Sequence, residues 1–194
     1  MYDGDETEMS NLGRQLFFPE DLGENKAIRG ARNLLQHACY PMEIAAWPMM
    51  FEDAIERGHK PKVSAAICGP DNDVARVFCA QHFLKSAPVI FVGIGKNAEH
   101  GYVFLQKPGE ACFGCYKPSA VGDDRMPCPG VPAVIDILFV VAGLAMTLVD
   151  SVLMPQRKVH FNYWDVFPQG AVETKPLTVA KRPGCPICGT GGKK

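Results

Sequence analysis

At 194 residues the chain is long enough to bury one sizeable core and too short for two comfortably independent domains, so residues 1–194 are expected to form a single cooperative unit. Apolar residues make up 47% of it and the formal net charge is -1, which leaves no basic excess for a nucleic-acid surface. An acidic, polar N-terminus is unlike a signal peptide and implies a reducing, cytoplasmic setting, where eight cysteines suit metal binding or catalysis before disulfides.

The first residues, MYDGDETEMSNLGRQ, place Asp3 and Asp5 behind a short strand stub, with Asn11, Arg14 and Gln15 close after. From Lys26 the spacing of Ala27, Ala31, Leu34, Leu35 and Ala38 predicts a helix with one apolar face, ended by Pro41. A strand over Met42–Trp47, a helix in FEDAIERG and a strand in VSAAICG follow, the last closed by Gly69 and Pro70. DVARVFCAQHFLKS reads as a helix, PVIFVGIG as a buried strand and GYVFLQ (101–106) as a further strand. A loop rich in Gly, Pro and Asp occupies 117–130.

Between Pro132 and Met154 lies the most apolar segment. Asp136 and Asp150 confine its uninterrupted part to Ile137–Val149, shorter than the roughly 20 residues a bilayer requires, so a fully buried core helix and no membrane span are expected. VHFNYWDVF and AVETKPLTVA alternate like an antiparallel pair. Strand–helix–strand alternation with continuous apolar strands predicts an α/β fold: a largely parallel sheet with helices on both faces, extended by that C-terminal pair.

Two CxxC units, Cys112–Cys115 and Cys185–Cys188, stand about 70 residues apart. One CxxC turn brings two thiolates to one ion, and two complete the four-thiolate tetrahedron of structural Zn²⁺. Such a site would pin the C-terminal segment, 155–194, to the body of the fold. Either motif alone also suits redox chemistry. Cys39, Cys68 and Cys79 lie in apolar segments as expected core residues, and the five histidines show no metal-ligand spacing.

A second group of residues suits a nucleotide. Open α/β sheets bind ligands beyond the carboxyl ends of their strands, where an acidic side chain such as Asp3 can accept bonds from ribose hydroxyls. Arg14 and Lys26 supply positive charge for a polyphosphate, and Asp71 in PDNDVAR could hold Mg²⁺ together with phosphate oxygens.

The ordered landmarks DxD, SNLGRQ, LGENKA, PDNDVAR, GYVF, ACFGCY and RPGCPICG resemble those of the ThiF/MoeB/HesA family, relatives of the enzymes that activate ubiquitin. The resemblance runs through nearly the whole chain. It implies a Rossmann-like domain that binds Mg-ATP and adenylates the C-terminal glycine carboxylate of a ubiquitin-like or sulfur-carrier protein, acting as a homodimer. In the roles it implies, Asp3 binds ribose, Asn11, Arg14 and Lys26 bind phosphates, Asp71 holds Mg²⁺, and Gln15 and Arg76 are supportive. Cys128, in RMPCPGVP, stands where some members place a cysteine that takes over the activated acyl group; the alternative is a loop cysteine with no role.

The sequence departs from the family pattern at its start. Met1 and Tyr2 stand where the family's second strand is already under way, so the first strand and the Gly-rich phosphate loop are expected to be missing. GIGKNAEHG (93–101) comes too late in the fold to replace them. Three explanations stay open: a second chain supplies the segment, the reading frame is truncated, or the protein is a non-catalytic, zinc-stabilised scaffold that binds carrier proteins.

Overall fold

The computed structural model describes residues 1–95, 100–121, 135–154, 156–168 and 171–189. Two units partition the chain, Met1–Pro61 and Lys62–Lys194.

In the first unit the N-terminal stub runs parallel to the segment expected as a strand at 42–47. That strand is reduced to a single bridge, Tyr2 to Trp47, with Trp47 N donating to Met1 O at 2.9 Å and Asp3 N to Trp47 O at 3.3 Å. Tyr2, Trp47, Phe51 and His59 close around it as an aromatic cluster, the Trp47 and His59 rings 4.5 Å apart. Helix α1 (Lys26–Gln36) starts on an Asn25 cap, whose Oδ1 accepts from Ile28 N at 3.2 Å. The Asn25 amide also donates to Asp3 O and Asp5 O, tying the stub to the helix start. α1 ends at Gln36, ahead of Pro41, and of its expected apolar face only Ala27 and Ala31 are buried; Leu34, Leu35 and Ala38 are exposed. Helix α2 (Phe51–Glu56) completes the unit.

Asp21 is the electrostatic anchor of this unit. It is buried, and its carboxylate accepts from Asn33 Nδ2 at 2.8 Å and Phe18 N at 2.9 Å, with Arg29 Nε 3.5 Å away. Burial alone would raise its pKa, but those bonds and the charges of Arg29 and Arg32 hold it below the usual carboxylate range. A depressed folded-state pKa contributes stability that is present above the unfolded value of 3.8 and is lost as pH falls through the folded value. Asp21→Ala should therefore cost about 2 kcal/mol at pH 7. In urea titrations the gap between the variant and the parent should narrow as pH falls below 3.8; an equal gap at pH 7 and pH 3 would contradict this assignment.

The second unit holds a five-stranded sheet in the order β1 (Ala66–Cys68), β2 (Val89–Ile94), β3 (Gly101–Gln106), β4 (Tyr163–Val166), β5 (Thr174–Leu177). Only β1 and β2 are parallel, joined through helix α3 (Asp73–His82); the other three pairings are antiparallel. The sheet is mixed, which corrects the largely parallel expectation. For β2 and β3 the cause is connection length: a parallel crossover needs a dozen or more residues, and only six separate Ile94 from Gly101. The C-terminal antiparallel pair is present as β4 and β5.

Period-two alternation sorts the strands onto two faces. Ile90, Val103, Leu105 and Val166 pack against Ile137, Val141, Ala145 and Leu148 of α5 (Ile135–Leu153). On the other face Phe91 stacks on Phe104 and Phe113, beneath α3 and the short α4 (Phe113–Tyr116). Helices thus cover both faces. Gln106, fully buried at the end of β3, joins three elements: its amide donates to Ala80 O of α3 at 2.9 Å and accepts from Phe113 N of α4 at 3.0 Å. Those are groups that helix ends leave without intrahelical partners.

α5 is not the fully buried helix expected. Its inner stripe meets the sheet, whereas Phe139 is 70% and Met146 53% exposed. A single sheet face can cover only one stripe of a helix that is apolar all round. With 19 residues and a mean hydropathy of 2.0, it is long and apolar enough to cross a membrane, the one such helix among the described residues. Cys68 and Cys79 are core residues, but Cys39 is exposed, because α1 ends before it.

Candidate nucleotide and metal sites

Asp3, Gln15 and Lys26 line one cleft of about 380 Å³ in the first unit, together with the apolar Met1, Leu16 and Leu34. Asp3 emerges from the strand stub, where its Oδ1 accepts from Asp5 N at 2.9 Å. Lys26 is the first residue of α1; its ammonium is half-buried and pairs with Asp5 at 3.1 Å. Asn11 and Arg14 are not in the lining of that cleft. Asn11 is buried in a 3-10 turn, its Oδ1 accepting from Glu8 N at 2.8 Å, and its carbonyl accepts from the backbone N–H of Arg14 and of Gln15. It therefore shapes the turn that carries both. A lining that combines apolar side chains with an acidic group and an ammonium suits a nucleoside phosphate, with its base, ribose and charged tail.

Asp71 belongs to the second unit. It is exposed on the loop that leaves the carboxyl end of β1, the place where open sheets hold ligands, and Asn72 Nδ2 reaches its Oδ1 at 3.4 Å. Asn72 caps α3 through Ala75 N at 2.8 Å. Arg76 is buried; it bonds Asp73 Oδ1 at 3.0 Å and lies over the Tyr102 ring at 5.9 Å. Cys128 lies outside the described residues.

The four cysteines of the two CxxC units converge. Cys112 Sγ lies 3.5 Å from Cys185 and 3.9 Å from Cys115, Cys115 lies 3.4 Å from Cys188, and all four sulfurs are within 4.8 Å of one another. An ion with four thiolates at about 2.3 Å in a tetrahedron sets its sulfurs about 3.8 Å apart, so the set fits Zn²⁺. A redox pair would need only two of them, at bonding distance. Local sequence explains the convergence: α4 turns Cys115 N back onto Cys112 O, Gly184 at φ +69° bends the second turn, and Arg182 N donates to Cys115 Sγ at 3.3 Å. Gly114 lies between the turns, where an added Cβ would come within 3.0 Å of Ile187 and 3.2 Å of Cys185 Sγ. Burial pushes the Cys112 thiol up. At Cys185 burial is outweighed by hydrogen bonds from the N–H groups of Cys188 and Ile187, which hold that thiol below its ordinary value.

Asn25, Asn72, Asp73 and Lys117 escape a motif reading. The two asparagines carry a signal in the sequence, since each directly precedes a helix start. Asp73 and Lys117 carry none, because they meet across 44 residues.

The sequence matches the ThiF family over residues 1–186. Comparison with curated proteins gives no match. Among solved structures, E. coli MccB with MccA-N7isoASN aligns with TM-score 0.72 and 19% identity, covering 97% of this chain and 58% of that one. E. coli MccB with ATP gives 0.71, 17%, 97% and 58%. The Microcin C7 biosynthetic enzyme MccB in complex with N-formylated MccA gives 0.65, 18%, 97% and 59%. The chain spans less than two thirds of the length of these neighbours, and at such identities the likeness is one of fold. The family match, which covers nearly all of the sequence and includes the first CxxC unit, places the chain in the ThiF family.

Proposed function

We propose that the chain adenylates a C-terminal carboxylate, with Mg-ATP as co-substrate and a peptide or small carrier protein as acceptor. The observation that carries this reading is the cleft that joins Asp3, Gln15 and Lys26 to an apolar wall at the start of α1. MccB structures with ATP, and with AMPCPP and MccA, support it as neighbours in fold. Asp3 would hold the ribose, Lys26 would exchange Asp5 for phosphate, and Asn11 would hold the turn from which Arg14 and Gln15 reach the nucleotide. Asp71 would hold the magnesium. A carboxylate oxygen attacks the α-phosphorus, the bond to the bridging oxygen of the β-phosphate breaks, and pyrophosphate leaves. The residues contribute by positioning and by neutralising charge on the leaving group.

In this reading residues 1–194 act as one adenylation domain in a cytoplasmic, reducing setting that keeps the four thiols available to zinc. The ion would be structural. The partner is a ubiquitin-like or sulfur-carrier protein, and the chain would act as a homodimer or together with a second chain. Cys128 would accept the acyl group as a thioester, and Cys128→Ala should then retain adenylate formation while losing the thioester on a non-reducing gel. The second reading, a zinc-stabilised scaffold that binds carrier proteins without ATP chemistry, rests on the four-cysteine cluster, which needs no nucleotide to form.

The test is exchange of labelled pyrophosphate into ATP. Exchange should require an acceptor with a free C-terminal carboxylate, fail with the C-terminal amide, and fail in Asp71→Ala. Exchange indifferent to the acceptor's C-terminus would overturn the proposal.

A further inference from the structure

Lys117 follows α4 directly, and its ammonium pairs with Asp73 Oδ2 at 2.5 Å, in the first turn of α3. A surface lysine near a helix N-terminus is ordinarily misplaced, because the positive end of the helix dipole repels it. Here Asp73 compensates: its side chain is only 14% exposed and is shared between Lys117 and the buried Arg76. Behind them Arg76 lies on Tyr102, and Tyr102 packs 5.2 Å from Tyr116, the residue between Cys115 and Lys117. The same first turn carries the Asn72 cap, which reaches Asp71.

α4 has four residues and cannot hold itself as a helix. Its shape is imposed from outside: the sulfurs of Cys112 and Cys115 gather with Cys185 and Cys188, Gln106 takes Phe113 N, and Lys117 N is fixed on Phe113 O at 2.8 Å. The position of Lys117 is thus set by the cysteine clamp.

We infer that Lys117 is a positioning residue, which transmits the state of the four-cysteine clamp through Asp73 to the capped start of α3 and so to the Asp71 loop. Its relevance to magnesium rests on the nucleotide reading above; the mechanical coupling does not. With the clamp loaded, Lys117 holds Asp73 and the 71–73 segment is fixed. With the clamp released, Asp73 keeps Arg76 alone and the Asn72 cap opens more often.

The experiment is amide hydrogen exchange on the full zinc-loaded chain. Lys117→Met, with zinc content unchanged, should speed exchange of the amides of residues 73–76 about twofold to fivefold, while those of β2 and β3 stay as in the parent. Chelation of zinc from the parent should speed the same amides, and Lys117→Arg should restore protection. Unchanged exchange at 73–76 in zinc-loaded Lys117→Met overturns the inference. A second readout separates it from the nucleotide reading: the Mg²⁺ dependence of ATP binding in Lys117→Met and in Asp71→Ala. Faster exchange with no Mg²⁺-dependent ATP binding in any form leaves the coupling standing and removes the nucleotide reading. Loss of Mg²⁺ dependence in Asp71→Ala with unaltered exchange in Lys117→Met does the reverse.

Discussion

Replacing Cys185 and Cys188 together by serine is expected to remove one zinc per chain and at least about 4 kcal/mol of stability, since structural four-thiolate sites return much of their binding free energy as folding free energy. In a chain of this size that corresponds to a fall in Tm of about 10 °C or more. The loss is large because the clamp closes a loop from residue 115 to residue 185 and fixes α4, through which Gln106 reaches α3. Metal analysis by mass spectrometry and a thermal scan check it. Zinc retained in the double variant, or a Tm unmoved by the loss of zinc, would show that the sulfurs meet without an ion.

The second large effect concerns nucleotide. Mg-ATP at about 100 times its Kd should stabilise the chain by roughly 2.7 kcal/mol, or about 5–10 °C in Tm. Lys26→Ala should lose most of that shift while changing the unliganded Tm little, because its pair with the exposed Asp5 is worth under about 1 kcal/mol. Asp71→Ala should leave a smaller shift that no longer depends on magnesium. A parent protein with no shift and a cooperative transition would favour the scaffold reading.

The sequence carried some of these features legibly and hid others for identifiable reasons. A CxxC turn is a local event, and when two occur in one chain only their meeting remains to be shown; Cys112, Cys115, Cys185 and Cys188 were therefore readable. The strands at 89–94 and 101–106 announced themselves by apolar runs, the first followed by Gly95 and the second beginning at Gly101. Strand direction does not lie in such runs. For β2 and β3 it follows from the length of the connection after Ile94. Periodicity likewise marks the apolar face of a helix but not the partner that covers it. Ala27 and Ala31 found one while Leu34 and Leu35 did not, and α5 has sheet beneath Val141 but not beneath Phe139.

For the residues read as a nucleotide site the sequence yielded identities but not their division of labour. Asn11 reads as a phosphate ligand on motif grounds; its buried Oδ1, engaged by Glu8 N, shows that it also builds the turn. Gln106 and the Lys117–Asp73 pair were invisible because their meaning is a contact between distant elements. No local composition encodes such a contact.

Gly93 and Tyr102 face one another in register across β2 and β3, and a Cβ on Gly93 would come within 2.5 Å of the Tyr102 ring. A side chain can often swing away from such an intruder. This ring cannot, since Tyr116 lies 5.2 Å from it and the Arg76 guanidinium sits over it. The two positions therefore form one unit of sequence variation. A side chain at 93 is tolerated only where residue 102 has become small, and a smaller residue at 102 removes the ring beneath Arg76, so drift at a strand glycine is coupled to the residue that shares Asp73 with Lys117.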